Sequence, residues 1–109
     1  MSDSHRTLTP AEAATLLDGI RLNLIRRGAE GSLVMSTDHW LLSSVDDEAF
    51  RFAAEPPAPP ETPPMVIRLA EVERITWDRL TRQQERSQVR FRLKNGDLQT
   101  FSGRLPEPD

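Results

Sequence analysis

Residues 89–101, Val-Arg-Phe-Arg-Leu-Lys-Asn-Gly-Asp-Leu-Gln-Thr-Phe, constrain the fold of this chain more than any other stretch. Val89, Phe91 and Leu93 alternate with Arg90, Arg92 and Lys94, and Asn95-Gly96 follows at once. Period-2 alternation running into Asn-Gly is the strongest short-range hairpin signal. It sorts the side chains into an apolar row and a basic row on opposite faces of a sheet. With Asn95-Gly96 as a two-residue turn, Leu93 faces Leu98 and Arg90 faces Phe101. Leu98 and Phe101 then have opposite parity and cannot both point inward along a regular strand. The burial preference of Phe favours a β-bulge on the final strand; the other solution places Phe101 on the basic face, beneath Arg90.

Short strands recur upstream. Alternation of Ile20, Leu22 and Leu24 with polar neighbours predicts a strand over about 20–27, and Gly28–Gly31 a turn. Ser32–Ser36 reads as a return strand, Thr37-Asp38 as a tight turn and His39–Ser44 as the next strand. Residues 44–48 form an acidic loop, and 49–54, with Phe50 and Phe52, a further strand. Met65–Ala70 is a strand, and Val72, Ile75 and Trp77 carry the apolar pattern on after a kink. Residues 81–88 form a helical turn or a long hairpin tip. Close spacing of such strands indicates a meander. One helix stands out: Thr9-Pro10-Ala11-Glu12 combines an N-cap, a proline at the first helical position and a capping box, and Gly19 is a C-terminal stop. Residues 1–8 are expected as a disordered tail. Trp40 and Trp77 are expected in the core.

Residues 55–64, Glu-Pro-Pro-Ala-Pro-Pro-Glu-Thr-Pro-Pro, cannot be helix or central strand, because proline lacks the amide donor. A polyproline II crossover loop is expected. Neither flank is large enough to fold alone, so residues 9–105 form a single domain. The fold class is therefore mainly β: a bent antiparallel sheet or partly open barrel of about seven strands with one short N-terminal helix.

Three segments resemble the pleckstrin-homology superfold, in particular bacterial PH-like and GRAM-like domains. Gly31-Ser32-Leu33-Val34-Met35-Ser36-Thr37-Asp38-His39-Trp40-Leu41-Leu42 is similar to the early hairpin of that family. Ile67-Arg68-Leu69-Ala70-Glu71-Val72-Glu73-Arg74-Ile75 is similar to its strand and kink, and Val89–Phe101 to its late hairpin. The resemblance spans residues 20–103 and implies lipid- or peptide-binding habits. Trp40 stands near the place of a basic residue in the family pattern. The family's closing C-terminal helix has no counterpart before Asp109, so the helix at Pro10–Asp18 or another subunit is expected to cover the open end.

The chemistry legible in the chain is that of binding. There is no cysteine, which removes disulfides and thiolate chemistry. No apolar run approaches the ~20 residues of a membrane span, and a cytoplasmic protein is expected. Asp38 and His39 are neighbours along the chain and would point to opposite faces of a strand, so they do not form a catalytic pair. Asp46-Asp47-Glu48 lacks the alternating oxygen ligands of a calcium loop and reads as a solvated turn. No cofactor, metal or catalytic residue is expected, and the chain is not read as an enzyme.

The net charge of -3 conceals an asymmetry. Residues 29–64 carry seven acidic side chains against Arg51 alone, whereas residues 65–94 carry eight basic against four acidic. Arg74, Arg79, Arg82, Arg86, Arg90, Arg92 and Lys94 are the candidate anion- or partner-binding residues. Their charges are otherwise solvated, or pair with Glu71, Glu73 and Glu85. Protein–protein interaction or self-association is the first functional expectation, because open strand edges invite pairing. Binding of anionic lipid or nucleic-acid phosphate through the basic row is the alternative.

Overall fold

The computed structural model describes residues 5–56, 61–81 and 86–106. The elements are β1 (His5–Leu8), α1 (Pro10–Leu17), β2 (Leu22–Arg27), β3 (Leu33–Val45), β4 (Ala49–Ala54), β5 (Met65–Arg68), a 3-10 turn (Leu69–Glu71), β6 (Val72–Thr81), β7 (Arg86–Leu93) and β8 (Leu98–Gly103). Among the described residues the strands form one antiparallel sheet in the order β1-β6-β7-β8-β2-β3-β4-β5. The protein is mainly β with a single short helix, as the sequence predicts.

Aromatic packing shows how the sheet bends. β4 and β7 are four places apart in strand order, about 19 Å across a flat sheet at ~4.8 Å per strand. Yet the rings of Phe50 and Phe91 lie 5.1 Å apart, and those of Phe52 and Phe101 only 4.1 Å apart. The sheet therefore rolls until its inner face meets itself. Leu22, Leu24, Trp40, Phe50, Phe52, Ile67, Ile75, Trp77, Val89, Phe91 and Phe101 are buried there. Among the described residues β1 and β5 are the outer strands, each paired on one side, so the roll does not close into a barrel.

The cap of α1 is built as its sequence dictates. Thr9 Oγ1 accepts from the Glu12 amide at 3.2 Å, and Glu12 Oε1 accepts from the Thr9 amide at 2.9 Å. Pro10 opens the helix, where its missing N–H costs nothing. Gly19, just beyond the end, has φ +73°. Ala13, Leu16 and Leu17 face the core, so the helix covers it from β1 and β3.

Four expectations are corrected. Residues 5–8 are an edge strand rather than a tail, with His5 opposite Asp78 and Leu8 opposite Ile75; residues 1–4 lie outside the described residues. Leu8 is buried in the core, which ties the segment down.

Residues 33–45 are one strand, not two strands and a turn. Leu24 pairs with Thr37 and Leu22 with Trp40, so two residues of β2 span three of β3. The extra residue is a bulge at His39, whose φ is +70°. The bulge bends β3 away from β2 and onto β4, where Trp40 already pairs with Ala54. A dipeptide suited to a turn thus serves as a bend within a continuous ladder. The segment compared with an early PH-like hairpin is a turn followed by this single bulged strand.

The last hairpin solves its parity clash in the turn. Leu93 N–H donates to Asp97 O at 2.8 Å and Gly96 N–H to Leu93 O at 2.9 Å. The loop therefore has three residues, Lys94-Asn95-Gly96, with Gly96 left-handed at φ +97°. Val89 then faces Phe101, which points inward, and Arg92 faces Leu98, which points outward. Neither a bulge on β8 nor a Phe101 beneath Arg90 is needed.

The proline-rich stretch joins β4 to β5, which are adjacent antiparallel strands with Phe52 opposite Met65. It is a hairpin connection, not a crossover; residues 57–60 lie outside the described residues.

Candidate functional site

The outer face of β6, β7 and β8 carries the basic row. Arg74 on β6 stands directly opposite Arg92 on β7, and Thr76 opposite Arg90. Leu98 on β8 faces Arg92 from the other side. His5, Arg74, Thr76, Arg90, Arg92 and Leu98 together line a shallow hollow of about 150 Å³.

Arg90 is held in place. Its Nε lies 3.5 Å from Asp78 Oδ2, and Asp78 Oδ1 lies 2.6 Å from His5 Nδ1. With its amide turned to satisfy both contacts, Gln88 accepts from Arg90 Nε at 3.0 Å and Nη2 at 3.2 Å. Thus, among the described residues, the carboxylate that meets Arg90 is Asp78 rather than Glu71 or Glu73; Glu85 lies outside the described residues.

Arg74 and Arg92 are different. Among the described residues neither has a carboxylate partner, and both are exposed. Like charges directly opposite each other across two strands repel.

Arg79, Arg86 and Lys94 do not join this group. Arg79 shares the face of Trp77, and its guanidinium carbon sits 5.9 Å from that ring centroid. Parity explains this: residues 75, 77 and 79 point one way, and 74, 76 and 78 the other. Arg86 lies six residues from Arg92 on β7, about 20 Å along the strand. Lys94 is exposed in the turn, with its amide bonded to Glu71 O at 2.8 Å. Arg82 lies outside the described residues. Sequence reasoning brought Arg74, Arg90 and Arg92 together and missed His5, Thr76 and Leu98. Arg27, opposite Leu98 on β2, extends the row across a fourth strand.

A second feature lies at the seam where the roll stays open. A cleft of about 320 Å³ runs beside β5, lined by Met65, Val66, Ile67 and Arg68 and faced by Arg26, Leu93 and Gln99. Arg26 and Gln99 are cross-strand partners on β2 and β8. Gln99 is 4% exposed. Its Oε1 is buried with no hydrogen-bond partner, and so is Arg26 Nε. The Arg26 Nη2 end reaches to 3.7 Å from Asp97.

The acidic loop is a self-contained turn. Asp46 Oδ1 accepts from the Glu48 and Ala49 amides at 2.8 and 3.0 Å, and Oδ2 meets Arg51 at 2.6 Å. These contacts, the Glu48 amide first, lower the Asp46 pKa. Its oxygens are occupied by the loop's own groups.

Comparison with protein-family models, with curated proteins and with solved structures finds no match to this chain.

Proposed function

We propose that this chain is a non-catalytic binding module whose basic outer sheet face receives a phosphate-bearing anion. One observation carries the reading: Arg74 and Arg92 oppose each other across β6 and β7 with no carboxylate between them among the described residues. An arginine needed only for solubility has no reason to face a second arginine, and the arrangement costs stability. A bound phosphate removes that cost and takes charge-assisted hydrogen bonds from both guanidinium groups. Thr76 supplies a hydroxyl at the floor of the hollow, and Arg90, braced by Asp78 and Gln88, forms its wall.

The test compares inorganic phosphate, vesicles containing phosphatidylserine and a single-stranded oligonucleotide at low and high salt. Arg92→Glu is expected to abolish whichever binding occurs, and Arg51→Glu, on another part of the sheet, to leave it intact. Binding that survives Arg92→Glu and Arg74→Glu refutes the reading. The protein–protein expectation draws support from a separate observation, the unpaired outer edges of the sheet, and the seam beside β5 extends it.

A further inference from the structure

We infer that the seam between β5 and the Arg26–Gln99 pair is a second binding site, which accepts an extended strand of another polypeptide. The inference goes beyond the basic face, because it uses other residues on the inner side of the roll. Its first support is a pair of buried orphans. Gln99 Oε1 is an acceptor without a donor, and Arg26 Nε is a donor without an acceptor. Leaving such groups buried and unpaired is costly. They belong to cross-strand neighbours and line the same cleft. The chemical group that answers both at once offers one N–H and one C=O, as a backbone amide does.

The second support is the opposite wall. β5 pairs with β4 on one side only. In an antiparallel strand alternate residues turn their N–H and C=O away from the partner, so the outer edge of β5 presents unpaired backbone groups at strand spacing. No strand among the described residues meets them. A chain laid there adds a ladder to β5 while its amides reach the Arg26–Gln99 pair, which is strand addition. A cleft of about 320 Å³ stands at the small end of ligand-sized cavities, about 300–1,000 Å³, and suits a short stretch of backbone. Arg26 is met by Asp97, but among the described residues Arg68 on the rim has no carboxylate partner, so a strand bearing an acidic side chain or a terminal carboxylate is favoured.

The probe is the synthetic peptide acetyl-Thr-Val-Thr-Val-Asp, with the same peptide N-methylated at alternate amides as its control. Amide-nitrogen NMR titration of the full chain follows residues 65–68 and the Gln99 side-chain amide. The expected result is saturable shifts at both places, absent with the N-methylated peptide and lost in Gln99→Leu and in Val66→Lys. The Arg92→Gln variant is expected to bind the peptide normally, so failure at the seam is distinguishable from failure on the basic face. The Gln99→Leu variant is also expected to melt no lower than the parent, because it removes an unsatisfied acceptor. Three results overturn the inference: no saturable shift at residues 65–68, peptide binding unchanged in Gln99→Leu, or a lowered melting temperature in Gln99→Leu, which means that its amide is already satisfied. Concentration-dependent self-association that protects the same amides supports the site, with a second copy as the strand donor.

Discussion

Two hairpins of this protein end in the same turn, and only one of them has a neighbour in the way. In the β2–β3 turn, Gly28 N–H donates to Ser32 O and Gly31 N–H to Gly28 O, both at 2.9 Å. The β7–β8 turn repeats the pattern with Leu93, Gly96 and Asp97. Gly31 and Gly96 occupy the same left-handed position, at φ +86° and +97°. A Cβ on Gly31 would meet nothing within 4 Å, whereas one on Gly96 would lie 2.8 Å from Ala29 Cβ. Gly31→Ala therefore isolates the backbone cost, about 1–2 kcal/mol for an L-residue in the left-handed region, less about 0.4–1 kcal/mol regained from a stiffer unfolded chain. Gly96→Ala adds an overlap of roughly 1 Å against the usual ~3.5–4.0 Å carbon contact. Overpacking of this kind costs about 1–3 kcal/mol, for a total of roughly 1–5 kcal/mol. Urea unfolding of the parent, Gly31→Ala, Gly96→Ala, Ala29→Gly and the Ala29→Gly/Gly96→Ala double variant closes the cycle. Ala29→Gly is expected to recover the overlap but not the backbone cost, leaving Gly96→Ala in that background about as costly as Gly31→Ala. In melting experiments the difference is about 4 °C per kcal/mol for a chain of this size. If Gly96→Ala costs no more than Gly31→Ala, or if the cycle shows no coupling, the two turns do not pack as described.

Other outcomes follow from the same geometry. Arg92→Gln relieves the repulsion with Arg74 and is expected to raise stability by a few tenths of a kcal/mol at low salt; thermal melts at low salt and at about 1 M salt, where the Debye length falls to about 3 Å, should show the gain disappearing. Phe52 is fully buried and stacked on Phe101, so Phe52→Ala should cost about 3–5 kcal/mol, read from denaturant midpoints, while Phe52→Leu keeps most of that. The Glu12 carboxyl is lowered first by the Thr9 backbone N–H, and the Asp46 carboxyl first by the Glu48 backbone N–H. Depressed folded-state values mean that this stabilisation is present above the ordinary carboxylate range and is lost as pH falls through the depressed values. Stability should therefore rise with pH through the acid range. Glu12→Gln and Asp46→Ala should each flatten that rise, and an unchanged profile in pH-dependent urea titrations would count against the two caps.

Elements whose signal is local were legible in the residues. Thr9, Pro10 and Glu12 specify the start of α1 with no help from the rest of the chain, and the 89–93 alternation specifies which side of β7 is core. Features decided by tertiary partners were not. Thr37-Asp38 has the composition of a turn, but β2 and β4 both claim β3, and a bulge at His39 serves them better than a reversal. Residues 5–8 carry too little pattern to declare a strand until β6 offers them an edge. At the site, parity along one strand was readable, which is why Arg90 and Arg92 stand together. Register between strands was not. It sets Arg74 against Arg92, brings Asp78 to Arg90, and moves Leu98 out beside them. Arg79 was expected on the connecting loop, but β6 runs on to Thr81 and its alternation turns Arg79 to the face of Trp77.

Buried atoms without a hydrogen-bond partner also occur at Trp77 Nε1 and Ser87 Oγ, but two departures from good packing chemistry line cavities and guide the proposed sites. The Arg74–Arg92 opposition and the Arg26–Gln99 orphans each cost stability, and neither is needed for the turn, bulge or cap near it. Glutamate in place of either Arg74 or Arg92 would pair across the ladder, and Leu at 99 would fill its buried position without an unmet acceptor. Sequences specify one structure when local and global demands agree, and the places where they disagree concentrate at working sites. These two departures lie on opposite faces of the sheet. One lies on the outside of the roll above β6–β8, and the other lies inside it at the open edge of β5, with the sheet itself between them. A ligand on one face therefore does not compete for space with a strand in the seam. Because β8 carries Leu98 toward the hollow and Gln99 toward the cleft, a strand that tightens β8 from within also steadies the floor on which the arginines stand. Peptide saturation should then strengthen phosphate binding, and phosphate should strengthen peptide binding by the same factor, since linkage between two sites is reciprocal. Titration of each ligand in the presence of the other measures that factor directly. Unequal factors would mean that the two do not act through one shared equilibrium, and a factor of one would mean that β8 does not couple them.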